Sequence, residues 1–343
     1  MVSEKARKKI GLLAGVVAGV AVTLYVAHEF TLPKTLCDGA PFIYATFHDE
    51  VGNVVKYSRN GCRLQDNVLD GFPKFNNPAH FVETRGIVLG QYLGQPALYV
   101  ADAFSEDSYL NVYGDCNAEG RRPLLTVAIS TVMNPGTDHI YGIAFDQDHN
   151  LYISNQHTDN VQRFYKDTFE PMPLPHALPE GASPPNFPGT FYQYGAANIH
   201  PINNQGVRDI AALGGYIYIA NEDINGVSIV NAATGVVEDI VPILSPIGLH
   251  HNHLHNWIFV SSKAQHFKGH VYAISIKKRQ VVRTYHSKHM THPTGLTTHA
   301  GILYVANQKS GEIVTFNIND GKYLKTIVSN MPPGIEQITL SPC

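Results

Sequence analysis

Charge is scarce in this 343-residue chain: Asp, Glu, Lys and Arg make up 15% of it, and the formal net charge is −3. No basic excess is available to track a phosphate backbone, which argues against nucleic acid as a partner. Cysteine is sparser still. Cys37, Cys62, Cys116 and Cys343 form no CxxC pair, so zinc-knuckle spacing is absent and disulfides in an oxidising compartment are the expectation. No Asn stands in an N-x-Ser/Thr sequon. That leaves an organellar inner-membrane or bacterial-type export route open beside the glycosylating secretory pathway. A GxSxG elbow, an HExxH helix, a Walker loop, a dinucleotide fingerprint and an EF-hand loop are also missing. No reaction is therefore legible from a local motif, and no cofactor is called for.

What the chain does have is 29 Gly, 21 Pro, 18 Tyr and 15 Phe against a single Trp. That mix suits many short strands joined by tight turns better than a helical bundle. The N-terminus differs from the rest. A basic tail over residues 1–9, with Lys5, Arg7, Lys8 and Lys9, precedes an uncharged apolar run from Ile10 to Ala27. As a helix that run would extend about 27 Å, just enough to span a bilayer. We read it as a transmembrane anchor, with a cleaved signal peptide as the rival and a weak cleavage site against it. The basic tail then stays on the cytoplasmic or matrix-like side. Everything beyond the 28–40 linker lies across the membrane, on a lumenal, extracellular or intermembrane side. Gly11, Gly15 and Gly19 share one helical face, which would permit close helix–helix packing in lipid.

A repeat organises the remainder. "RGIVLGQYLGQPALYVAD" from Arg85, "YGIAFDQDHNLYISN" from Tyr141 and "RDIAALGGYIYIAN" from Arg208 superpose. So do "IGLHHNHLHNWIFVSS" from Ile247 and "TGLTTHAGILYVAN" from Thr294. Each reads as a first apolar strand, a polar turn and a second strand. A third, alternating strand follows ("YLNVYG", "NVQRFY", "GVSIVN", "HVYAIS", "EIVTFN"), then a more polar fourth such as "RQVVRTYH" or "GKYLKTIV". Four strands at a period of about 40 to 55 residues is the pattern of a β-propeller blade. The sixth unit is split: "PGIEQITLS" from Pro333 supplies a first strand, and "FIYATFHDEVGNVVKYS" from Phe42 supplies the second and third. Residues 41–343 are therefore expected to form an all-β, six-bladed propeller closed by both chain ends in one sheet, which also removes an exposed edge. The closure would bring Cys37 near Cys343, and a disulfide is expected between them. Cys62 and Cys116 form a weaker candidate pair. The stretch 166–206 breaks the period with seven prolines between Pro171 and Pro188. It reads as a stiff extended insertion that returns as a fourth strand near "TFYQYG".

The unit "YGIAFDQDHNLYISNQHTDNVQRFY" resembles an NHL repeat. Over residues 40–343 the ring resembles the six-bladed superfamily of NHL proteins, gluconolactonase-like hydrolases, paraoxonases, strictosidine-synthase-like proteins and the peptidyl-amidating lyase. The resemblance implies that the starts of the first strands and the second-to-third-strand loops share one face of the ring. The six starting residues are then Arg85, Tyr141, Arg208, Ile247, Thr294 and Pro333. They lack the several oxygen ligands of a calcium-dependent lactonase. They also lack the histidine triad of the zinc lyase, with His292 alone coming near. What remains is a candidate ligand site of Arg85, Tyr141 and Arg208, with loop residues Asp102, Asn155, His157, Asn221 and Asn307. The two guanidinium groups could clamp a carboxylate or phosphate. Arg85, Arg208, Tyr141 and Glu222 are the candidate catalytic groups of a metal-independent hydrolase or lyase. The blander reading has the arginines paired with carboxylates such as Asp209 and Glu83, and the loop residues forming turns.

The preferred function is a binding or scaffolding module for a protein or small ligand, with an accessory subunit of a membrane assembly as one form of it. The hydrolase or lyase is the alternative, and a calcium-dependent lactonase or esterase comes third. "GLHHNHLHNWIFV", residues 248–260, crowds His250, His251, His253 and His255 ahead of Trp257. Aligned on its repeat it is a hairpin turn on the face opposite the arginines, expected to be a polar surface turn that titrates in part near pH 6 to 7. No metal is expected, with His251, His253 and His255 the only candidates for one.

Overall fold

A computed structural model describes residues 40–343, apart from 49–52, 67, 70–80, 82, 104–107, 115–123, 175–186, 194–205, 264–268, 330 and 343. Among these described residues twenty-four strands, numbered β1 to β24 along the chain, form six four-stranded sheets. The first strands of blades 2 to 6 are β4 (Thr84–Tyr92), β8 (Ile140–Phe145), β12 (Val207–Leu213), β16 (Pro246–Asn252) and β20 (Pro293–His299). Each is followed in sequence and space by three antiparallel partners. Blade 1 is split as expected: β24 (Ile335–Ser341) pairs with β1 (Phe42–Phe47), and β2 (Asn53–Ser58) and β3 (Arg63–Gln65) complete it. The six first strands contact one another in cyclic order, β24 against β4 closing the ring. The described residues form a six-bladed β-propeller.

The core is divided among the blade interfaces, because each sheet is apolar on both faces. Six separate hydrophobic clusters fill the six interfaces. The fourth residue of every first strand reaches one of them: Ile87, Ile143, Ile210, Leu249, Leu296 and Ile338 are all buried. The outer strands are polar and partly exposed, as in Val237–Pro242 and Gln280–Tyr285, because no further sheet covers them.

At the closure Phe42 pairs with Ser341. Cys37 and Cys343, which flank this pair in sequence, lie outside the described residues, as does Cys116. Cys62 is disulfide-bonded, with its partner outside the described residues. The anchor at 10–27 and the linker as far as residue 39 also lie outside them. Among the described residues no helix is long and apolar enough to cross a membrane. The Pro-rich insertion is described at both ends. Pro171 forms a bridge with Phe164, and Thr190–Gln193 returns as the fourth strand of blade 3.

Candidate functional site

The chemistry sits where every first strand carries a bulge. In all six blades the pairing register shifts between the first and fourth residues of that strand. A bulge re-aims the side chains it contains. Here it assigns the second residue to one ring around the axis and the third to a second ring. The second residues are Arg85, Tyr141, Arg208, Ile247, Thr294 and Glu336. The sequence expectation of Pro333 at the sixth place is thus corrected. Blade 1 aligns by its apolar fourth residue, Ile338, and not by the glycine at 334, so a carboxylate completes the ring.

The third residues are Gly86, Gly142, Asp209, Gly248, Gly295 and Gln337. Glycine predominates because neighbouring strands approach to backbone contact. A Cβ at 248 would overlap the Thr294 carbonyl, and one at 86 would lie 2.8 Å from the Tyr141 carbonyl oxygen. The two exceptions meet. Gln337 Nε2 donates to Asp209 Oδ2 at 2.6 Å, from blade 1 to the diametrically opposite blade 4, and closes the channel at this level. Asp209 also accepts the amides of Leu249 and Ile210. Burial outweighs these bonds and pushes its carboxyl up to about 7.

Above this plug Tyr141 lies buried between its neighbours' arginines in ring order. The Arg85 and Arg208 guanidinium carbons stand 5.5 and 5.4 Å from its ring centroid. The structure therefore brings together all three leading sequence candidates. Their charges, however, are matched internally. Glu336 accepts from Arg85 at 3.3 Å, from Gln308 at 2.6 Å and from the Tyr141 hydroxyl. Arg85 also donates to Glu83 at 2.7 Å, and its Nη2 lies 3.3 Å from His139 Nε2. Arg208 donates to Glu222 through Nε at 2.7 Å, and Lys263 holds the other Glu222 oxygen. Burial, followed by the Glu336 charge, raises the Tyr141 phenol well above its usual value. Burial and then Arg85 hold the His139 imidazole neutral down to about 3. Burial alone would raise Glu83, but its His48 bond and the Arg85 guanidinium hold it down at about 2.

Asp102, Asn155, Asn221 and Asn307 end the second strands of their blades and are buried. Asp102 accepts the Glu83 amide. Asn155, Asn221 and Asn307 donate to Asn160, Ser228 and the His289 carbonyl respectively. His157 stacks on His139 with centroids 4.3 Å apart and approaches Asp138 at 3.5 Å. Sequence reasoning missed Glu336, His139 and Gln337. A position-by-position alignment of "EQITLS" with "RDIAAL" would have found the first and last. His139 lies in an irregular connection, with φ of +56°, and has no repeat signal.

Open volume lies on the other side of the plug. A cavity of about 280 Å³ runs down the channel from Asp209 and Gln337, and widens among the first hairpins into a mouth of about 900 Å³. His251 lines both. The histidine turn is therefore on the expected face, but its reading as a titrating surface turn is corrected for two members. Burial, then the neighbouring imidazoles, hold His250 neutral down to about 3 and His251 down to about 4. His255 bonds Asn252 and Asn319 instead of turning toward His251. Among the described residues no group of three His, Cys, Asp or Glu is placed to hold a metal ion.

No family model and no curated protein matches the chain. Solved structures do. A chain in a crystal structure of a nidogen/laminin complex is 13% identical with a TM-score of 0.57, over 88% of this chain and 98% of that one. A protein of unknown function from Bacteroides caccae is 10% identical with a TM-score of 0.57, over 88% and 99%. At this identity the likeness shows the fold alone.

Proposed function

We propose that this protein is a membrane-anchored propeller that binds and positions a protein partner, as an accessory subunit of a membrane assembly. The observation that carries the reading is the internal neutralisation of the starting ring. Arg85, Arg208, Tyr141, Glu222 and Glu336 hold one another, so the groups that a hydrolase would need as acid, base or anion clamp are already engaged. A calcium-dependent lactonase has less support still, since the ring's one carboxylate is bound by Arg85, Tyr141 and Gln308.

The same face offers apolar surface. Val132 and Met133 are 77% and 68% exposed at the connection from blade 2 to blade 3, and Leu244 is exposed at that from blade 4 to blade 5. The first connection is held in shape by Asn134 and Thr137, whose amides donate to the Ser130 and Asn134 carbonyls at 2.9 and 2.8 Å. An ordered turn that presents large apolar side chains loses little entropy on docking. Residues 10–27 supply the anchor in this reading, with the propeller on the lumenal, extracellular or intermembrane side and a Cys37–Cys343 bridge fastening its closure. Full-length protein purified from its native membrane tests the reading. A specific partner should be retained at stoichiometric yield and lost from a Val132→Asp/Met133→Asp variant that still folds. Retention of the same partner by that variant, or absence of any partner, contradicts it.

A further inference from the structure

The half of the channel below the plug has two unlike walls. Blades 2 to 4 contribute Val88, Leu89, Phe145 and Ala211, all apolar. Blades 5, 6 and 1 add leucine and isoleucine side chains but also bring the imidazoles and hydroxyls: His251, Thr297 and Thr339, beside a His250–Thr298 pair bonded at 3.0 Å. The division follows from the repeat. The fifth residues of the first strands face this space, and they are Val88, Ala144 and Ala211 in one run of blades and His250, Thr297 and Thr339 in the other. Neither Lys nor Arg lines the inner cavity. Its one carboxyl, on Asp209, already accepts from Gln337, Leu249 and Ile210.

The polar wall also has unused capacity. The ring nitrogens of His251 and the hydroxyls of Thr297 and Thr339 make no hydrogen bond among the described residues, although His251 stacks on His250 and packs against His253 with centroids 5.5 and 4.4 Å apart. Polar groups facing a half-enclosed apolar space are what fixes the orientation of a small ligand. The absence of a free charge excludes ions as well-matched occupants, because a buried unpaired charge is costly.

We infer that the hairpin side of the channel is a binding site for a small uncharged molecule with an apolar body and one hydrogen-bonding edge, of the aromatic-alcohol class. The apolar body lies against Val88, Leu89 and Ala211, and the edge meets His251 and the threonine hydroxyls. This site is on the face opposite the apolar turn at Val132 and Met133, so it stands or falls independently of the partner reading.

The test uses the full-length chain with 1-naphthol as the probe, and 1-methylnaphthalene and 1-naphthoate as comparators. Naphthol should bind saturably and about tenfold more tightly than either comparator, since one lacks the hydrogen-bonding edge and the other carries a charge. In the unmodified protein, naphthol should shift the ring resonances of His251 and leave those of His139, on the other face, in place. His251→Phe, with an unchanged melting midpoint, should weaken naphthol about tenfold. The inference is overturned by unsaturable or equal binding of the three probes, by naphthol shifts at His139 instead of His251, or by His251 and His253 resonances that respond to zinc ion and not to naphthol.

Discussion

Gln337 Nε2 lies 2.6 Å from Asp209 Oδ2, and this bond joins the first strands of opposite blades across the axis of the ring. Both residues occupy the bulge position that is glycine in the other four blades. The bond closes the channel and gives a buried carboxyl one of its three donors. Replacing Gln337 by Leu keeps the volume roughly the same and removes that donor. The variant should lose about 1–3 kcal/mol at pH 8, where Asp209 is ionised, and less at pH 5, where it is protonated. NMR titration of Asp209 should find its pKa higher than in the unaltered protein, because the Gln337 bond lowers it.

Acid stability follows from opposed groups. Asp209 is raised from 3.8 to about 7 in the fold, so the cost of its charge is absent below pH 4, grows through the interval and is complete above 7. His139, His250, His251 and His292 are lowered from 6.5 to between about 3 and 4. The unfolded chain therefore takes up their protons first, and stability is lost as pH falls from 6.5. Four imidazoles outweigh Asp209 together with Asp159 and Asp223, which burial also raises, so the melting temperature should drop between pH 6.5 and 4. Asp209→Asn removes one of the opposing contributions and should fall more steeply over that range, as thermal melts in a pH series would record.

The bulge glycines are steric requirements. Gly248→Ala drives a methyl group into the Thr294 carbonyl and the Ser261 hydroxyl, and backbone cannot yield as a side chain can. A loss of at least about 3 kcal/mol is expected in denaturant unfolding. Gly114→Ala meets only Leu124 side-chain atoms at 3.7 Å and beyond, with no left-handed backbone. It should be neutral or stabilising by up to about 1 kcal/mol.

The blades were legible because a first strand must place an apolar residue in an interface and then alternate, which leaves a regular mark in "RGIVLG", "YGIAFD" and "TGLTTH". The split blade was legible for the same reason, though its register was not. Gly334 mimics the repeat glycine but serves another purpose, in a left-handed conformation just ahead of the strand. Arg85, Tyr141 and Arg208 were found because they hold one repeat position. Their neutralisation by Glu336, Glu83 and Glu222 depends on side-chain reach across blades, which no spacing encodes. His250 and His251 looked like surface because a turn follows them. They are half-buried because the strand ends within the mouth of the channel, a consequence of ring geometry that a single hairpin does not reveal.

The most direct test of the partner reading is site-specific photo-crosslinking in the native membrane. A photoreactive residue is placed at Met133, on the face of the starting ring, or at Leu254, which is 86% exposed on the hairpin face. A discrete protein adduct is expected from position 133 and none from 254. Adducts from 254 alone, or none from either position in intact membranes, would contradict the partner reading.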